Sequence, residues 1–353
     1  MASSVTNNSP ISLSPVDMGE QSVVGPISAA LGAIALSSSK SHQGKLTSCN
    51  TKLTEGEYAE IGKYIDQNRE THVGKTIYCH SKEIGLPRSL SFYSDGTVYI
   101  HLNQVEDGSD YLVGKGGSKK AKYSLNYDTG EVFVRTTTEG NCEREIAFFD
   151  RTKDLPGVAR LLHSQEFSSK NGFKTEMMMP NYANGSLASF QRKSYVESEK
   201  DESVVEFFAS DVRKEAMSVQ ILETADQLHA KGLSHGDYSG SNIFLDENQN
   251  PFVGDFGLSR ASACPYQQLI DLFFLNQIFL YSLGTAEGTT QKKVESRIRE
   301  TLQVMSEQSH DYQHLGDLHQ LNSLAEQMYQ IQDPSHDLIV ITEAMVSKCS
   351  RRE

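Results

Sequence analysis

No stretch constrains this chain more than Leu228 to Arg260, which reads LHAKGLSHGDYSGSNIFLDENQNPFVGDFGLSR. It holds His235-Gly236-Asp237, then Asn242, then Asp255-Phe256-Gly257. Upstream, Val212, Ala216, Val219, Ile221, Leu222, Ala225 and Leu228 recur with a helical period, which predicts a helix from Asp211 to Lys231 stopped by Gly232. Downstream, residues 242–245 and 251–254 read as two short strands around an Asp-Glu-Asn-Gln-Asn turn. The bland alternative is a surface turn rich in Asp and Asn.

In this order and spacing, helix, loop, hairpin and Asp-Phe-Gly resemble the catalytic loop and metal-binding turn of protein kinase-like phosphotransferases. The resemblance implies an α+β, bilobal protein kinase-like fold, with a small β-rich N-lobe, a helical C-lobe and ATP with Mg²⁺ in the cleft. By the same resemblance Asp237 orients the attacking hydroxyl, while Asn242 and Asp255 hold the Mg²⁺ against the phosphates.

Ahead of this stretch, Tyr111-Leu-Val-Gly-Lys-Gly-Gly-Ser-Lys-Lys-Ala-Lys-Tyr resembles the kinase glycine-rich loop. Gly114, Lys115, Gly116, Gly117 and Ser118 would cover the phosphates, with Lys119 in place of the third glycine. The next strand puts Arg135 where kinases carry the lysine that grips the phosphates, and Arg does not replace Lys freely at such a site. Either catalysis is lost, or Lys119 supplies the ammonium from the glycine loop, as in the with-no-lysine kinases, and Arg135 supports the phosphates or pairs with an acid. A helix expected over about 142–154 resembles the kinase C helix, and its Glu145, or alternatively Glu143, would steady the cation. Aligned on Gly185-Ser186-Leu187, Met179 resembles the residue beside adenine, and Pro180 to Tyr182 the hinge that meets its edge.

The chain has 353 residues, a net charge of −13 and a pI near 5.4, a balance that argues against a generic nucleic-acid binder. Five scattered cysteines give neither a disulfide framework nor a zinc spacing. No apolar run is long enough to span a membrane. Residues 1–50 are Ser-rich and poor in aromatics, so disorder is expected, and their composition resembles the export signals of bacterial type III effectors. Residues 51–107 read as an added unit, with a helix over 54–68 and a hairpin of 89–92 with 97–102 turned at Ser94-Asp95-Gly96. The kinase N-lobe is expected over 108–182 and the C-lobe over 183–353.

The large lobe reads as shortened. Asp271, the expected start of the next buried helix, lies sixteen residues after Asp255, and no Ala-Pro-Glu follows. Asp337 stands where the family's matching arginine would be, and Ser239 replaces the lysine of Ser/Thr kinases. His-Gly-Asp-Tyr-Ser-Gly-Ser-Asn resembles the Rio kinases and the minimal kinase of the KEOPS complex. The stretch Arg192 to Glu206 reads as a solvated insertion. Apolar stripes at Val294, Ile298, Leu302 and Met305, then over 315–331 and 338–346, read as closing helices. The expected activity is ATP- and Mg²⁺-dependent phosphoryl transfer to a Ser or Thr of a protein substrate by an atypical kinase. The protein is expected in the cytoplasm, or secreted into a host cytosol to act on a host protein. A pseudokinase that binds ATP and a partner, or a small-molecule kinase, are the alternatives.

Overall fold

The structure, a computed structural model, describes residues 55–78, 86, 88–102, 112–115, 119–140, 142–169, 172–261, 265–285 and 288–307. The expectations for 1–50, Thr54, Gly116, Gly117, Ser118, Asp337 and the helices past 307 lie outside them.

Helix α1 (Glu55–Asn68) precedes three short strands, β1 (Lys75–Ile77), β2 (Leu90–Phe92) and β3 (Val98–His101). Ile61 and Ile65 of α1 are fully buried against Leu90, Phe92, Val98 and Ile100, so an apolar stripe at helical spacing is the face that packs. Gly96, at φ 86, closes the β2–β3 hairpin where a side chain would be strained. Then come β4 (Leu112–Lys115), β5 (Lys119–Asn126), β6 (Val132–Glu139), helix α2 (Glu143–Thr152), β7 (His163–Ser169) and β8 (Gly172–Pro180).

These eight strands form one sheet in the order β1-β2-β3-β5-β6-β8-β7, with β4 also paired on β5. The segment expected as an added unit therefore continues the same sheet, because β3 pairs with the far half of β5 through Tyr99–Asn126, Ile100–Leu125 and His101–Ser124.

The rest of the described chain is mostly helical. A short strand β9 (Gly185–Ser186) pairs with β10 (Ile243–Leu245), which pairs with β11 (Pro251–Val253). Helix α3 (Leu187–Tyr195) starts at Ser186, whose hydroxyl accepts from Ser189 N–H. Helix α4 (Glu202–Ala209) buries Val204 and Phe207, and Phe207 packs edge-on against Phe190. Of the described residues in the stretch read as solvated, Arg192 to Glu206, only Val204 is buried, and Phe207 follows just beyond it.

Helix α5 (Asp211–Ala230) buries Ile221, Leu222, Ala225 and Leu228, and Gly232 at φ 69 ends it. Helix α6 (Pro265–Gln277) continues as a π-helical turn over Ile278–Leu283, and α7 (Thr289–Glu307) packs Val294 and Ile298 inward. Asp271 lies inside α6 and not at its start. No helix among the described residues is long and apolar enough to cross a membrane.

Candidate active site

The loop after α5 is held from below by one carboxylate. Asp271 is fully buried and accepts from the backbone N–H of His235 at 2.8 Å and of Gly236 at 2.7 Å, while His229 Nε2 lies 2.9 Å from it. Gly236 has φ 78, and a Cβ there would stand 2.7 Å from the carbonyl oxygen of Leu258, so glycine is required on both counts. His235 Nε2 faces the carbonyl of Gly254 at 3.0 Å, and burial pushes the imidazole below its ordinary pKa.

This footing aims Asp237 and Asn242 together. Asn242 Nδ2 donates to the Asp237 backbone carbonyl and to its carboxylate, each at 2.9 Å, which leaves the carboxamide oxygen to face elsewhere. Gly254 N–H donates to the Asn242 carbonyl at 2.9 Å and ties the loop to the turn that carries Asp255. Burial raises the Asp237 pKa, and Asp255 adds to the rise, against the pull of His235, Asn242 and Lys119.

Asp255 sits in the left-handed region, at φ 61 and ψ 73. A non-glycine residue held there is a strained position that the surroundings must impose. The clamp is aromatic: Phe256 stacks on Phe148 at 4.5 Å, meets Phe149 edge-on at 5.0 Å and lies 5.2 Å from the His235 ring. Phe148 and Phe149 belong to α2, so the helix and the Asp-Phe-Gly turn are packed as one piece.

On this piece Lys119 closes the site. Its Nζ lies 2.7 Å from Glu145 Oε1 and 2.5 Å from Asp255 Oδ1, joining β5, α2 and the Asp-Phe-Gly turn. Burial lowers the ammonium's pKa, but Glu145 and Asp255 outweigh it and leave the pKa above the ordinary lysine value. Burial likewise raises Glu145, with Lys119 opposing. Glu145 thus makes the contact to the cation, whereas Glu143 lies at the exposed start of the helix.

Arg135 is not part of this cluster. Opposed residues in antiparallel strands share a face, and the register sets Lys119 opposite Thr138, Ala121 opposite Thr136, and Thr136 opposite Met177. Thr136 therefore stands on the Lys119 face, and Arg135 points through to the other side. There its guanidinium meets Glu176 Oε2 at 3.1 Å and His101 Nδ1 at 2.7 Å. Arg135 thus pairs with an acid, as one of the two expectations for it had it, while Thr136 takes the face toward Lys119.

Met179 lies opposite Val134 on the Lys119 face and packs against the main core. Pro180 ends β8. The Tyr182 ring stacks on Phe244 at 5.6 Å and leans on Phe252 at 5.0 Å, its hydroxyl accepting from Arg160 N–H at 3.2 Å, and burial pushes its pKa up to about 12. Phe244, which sequence reasoning passed over, approaches Gly254 so closely that a Cβ there would stand 2.8 Å from the ring. The backbone of Gly114 and Lys115 lies in β4, bulged between Leu112 and Gly114.

The donor set suits a hard divalent cation, since Asp255 and Asn242 offer oxygen ligands of the kind Mg²⁺ takes. Asp255 already draws a cation, the Lys119 ammonium, and its carboxylate keeps 40% exposure where a metal would need access. The arrangement can hold a polyphosphate against an ammonium and a metal, with a carboxylate free to accept a proton.

No family model matches the chain. Among curated proteins, it is 25% identical over 191 residues to the serine/threonine-protein kinase ppk21 of Schizosaccharomyces pombe, covering 54% of this chain and 31% of the relative. It is 52% identical over 70 residues to the eIF-2-alpha kinase GCN2 of the same yeast, covering 20% and 4%. It is 24% identical over 188 residues to the 3-phosphoinositide-dependent protein kinase B of Dictyostelium discoideum, covering 50% and 19%. The chain thus spans less than a third of the length of each of these relatives. They are eukaryotic kinases, the two longer matches at modest identity, and they support placement in the protein kinase-like superfamily.

Proposed function

We propose that this protein is a Ser/Thr protein kinase of atypical form, using Mg²⁺ and ATP, whose phosphate-gripping cation is Lys119. The observation that carries the proposal is the position of Lys119 between Glu145 and Asp255. An ion pair from C helix to ammonium is what a kinase needs in place before transfer. Here it is made from β5 while β6 presents Thr136, so the missing β6 lysine does not argue for lost catalysis.

In this reading Asp237 orients the acceptor hydroxyl and takes its proton, a task favoured by its raised pKa. Asn242 and Asp255 would hold a metal that supplies charge screening, and the backbone of Gly114 and Lys115 would approach the phosphates. Met179, Pro180 and Tyr182 border the nucleotide base, with Phe244 stacked behind Tyr182. Asp255 would give its carboxylate to Mg²⁺, which would supply charge screening there, and Lys119, held by Glu145 as well, would remain to meet the phosphates. The short segment from Leu258, tied back by the Ser234–Arg260 bridge and by Arg151 donating to the Ala261 carbonyl at 3.1 Å, needs no phosphorylation to order it.

The test is transfer of labelled γ-phosphate from Mg-ATP to the protein itself and to a lysate. Wild type and Arg135→Lys should label, whereas Asp237→Ala and Lys119→Ala should not. A wild type that labels nothing, yet is stabilised against heat by ATP, is a nucleotide-binding pseudokinase. The Ser-rich composition of residues 1–50 supports export into a host cytosol, with a host protein as acceptor. A reporter fused to those residues that stays inside a type III-competent bacterium would remove that part of the proposal.

A further inference from the structure

The far face of the sheet is closed. β1 and β7 are the two ends of the strand path, yet Gln165 of β7 donates through Nε2 to Thr76 Oγ1 of β1 at 2.9 Å, and the Tyr78 and Phe167 rings lie 6.0 Å apart. At the hairpin end, Tyr93 lies 4.7 Å from the His163 ring. The sheet curls until its ends meet through side chains, a barrel whose seam, among the described residues, is joined by these contacts.

Its interior is ionic. Glu176 and His101 are fully buried, and Arg135 nearly so. Glu176 Oε1 accepts from Ser91 Oγ at 2.6 Å and Tyr93 Oη at 2.8 Å, while Oε2 accepts from Arg135 at 3.1 Å. Since the Ser91 proton goes to Glu176, the 2.8 Å bond between Ser91 and His101 Nε2 has the imidazole as donor, which leaves Nδ1 to accept from Arg135. The ring is thereby assigned neutral, in agreement with a pKa that burial and then Arg135 drive well below the ordinary value. The polar atoms of β2, β3, β6 and β8 close one circuit.

That circuit backs the wall carrying Lys119. Arg135 is opposite Lys122 on β5, and Glu176 opposite Thr137 on β6, so both lie on the reverse of the strands that place Lys119 and Thr136. An isolated buried ion pair is weak evidence of stability, since apolar residues of the same shape often serve as well, and its best attested use is to fix register and geometry.

We propose that Arg135, His101 and Glu176 are positioning residues: the ionic centre of the closed barrel fixes the β5–β6 wall so that Lys119 meets Glu145 and Asp255. Strands β1, β2 and β3 are on this account part of the phosphate-binding machinery. The inference rests on the kinase reading only for its consequence in nucleotide binding, and its first test does not use nucleotide.

Peptide-resolved acetylation of the full-length protein reads the freedom of the Lys119 ammonium against exposed Lys120. The variant is Arg135→Met with Glu176→Met, which removes both charges and keeps the bulk. The expected result is a folded protein with a lowered unfolding temperature, since buried Ser91, Tyr93 and His101 lose partners, with Lys119 labelled about tenfold faster, as loss of one net hydrogen bond's worth of restraint allows, and Lys120 unchanged. The KM for Mg-ATP should rise with kcat largely kept. A folded double variant with wild-type Lys119 labelling overturns the proposal. Should that variant fail to fold, Thr76→Val decides, because it cuts the seam at one hydroxyl: faster Lys119 labelling supports the proposal and an unchanged rate overturns it. A wild type that never binds ATP would defeat the kinase reading and leave the labelling result standing.

Discussion

Asp271 accepts hydrogen bonds from both backbone amides of the His235–Gly236 pair, so a side chain inside α6 sets the path of the loop that presents Asp237. The carboxylate has no exposure. Its two oxygens are divided, Oδ1 to Gly236 and Oδ2 to His235 and His229.

Asp271→Ala should therefore destabilise by about 3–5 kcal/mol, because it strands buried donors that water cannot reach. Asp271→Asn, which keeps one acceptor oxygen, should cost less. Denaturant unfolding followed by circular dichroism would show it. If Asp271→Ala unfolds at the wild-type midpoint, the loop is held by something else.

Gly236→Ala probes the same loop from above. The added methyl meets the Leu258 carbonyl and the backbone is held at φ 78, so about 1–3 kcal/mol of strain is expected. Relief comes by moving the segment after Phe256, which should break the Ser234–Arg260 bridge and speed tryptic cleavage at Arg260. Cleavage at the wild-type rate would mean that the segment is not pinned by this contact.

How much of this was legible depended on how local the signal is. His235 to Asn242 and the Asp-Phe-Gly turn work through fixed short spacings, and the structure sets Asp237 against Asn242 at hydrogen-bond distance. Lys119 with Glu145 came from family likeness, and the 2.7 Å contact joins residues on separate elements. Arg135 pairs with an acid, as one expectation had it, but that the acid lies on the face away from Lys119 was not legible, because a strand residue's face depends on phase and a shift of one residue moves a side chain across the sheet. The closed barrel was not legible, since the pairing of Tyr99 with Asn126 and the seam at Thr76 and Gln165 join segments far apart in the chain. The buried stripe of α4 was hidden by the charges around Val204 and Phe207.

Asp237 carries a cost that its removal should reveal. Its folded pKa is raised by burial, so the native state holds its proton more tightly than the unfolded chain does. That contribution to stability is complete below the ordinary value of 3.8 and is lost as pH rises through the folded pKa. Asp237→Asn, which can still accept from Asn242, should raise the unfolding temperature at pH 7, leave it unchanged near pH 3, and abolish transfer. An unchanged unfolding temperature at pH 7 would mean that neighbours fully offset the burial. In the wild type the acid limb of kcat/KM should lie above the pH of an ordinary aspartate.

His101 sets the opposite trend. Burial and Arg135 hold its folded pKa well below 6.5, the value it regains when the chain unfolds. A depressed pKa contributes stability that is present above the unfolded value and is lost as pH falls toward the folded one. His235, lowered by burial, acts in the same sense. Between pH 6.5 and 5 the protein should therefore weaken while Asp237 and Glu145, both raised, pull the other way at lower pH. Protonating His101 would place a second cation against Arg135 and remove the acceptor at Nδ1, so the first element to loosen should be the β2–β3 hairpin. Amide exchange of residues 89–101 at pH 5.5 and 7.5 measures this. Faster exchange at the lower pH, after correction for the intrinsic rate, is expected in wild type and should be reduced in His101→Gln. Equal protection of the hairpin at both pH values would show that the buried imidazole does not govern the closure of the barrel.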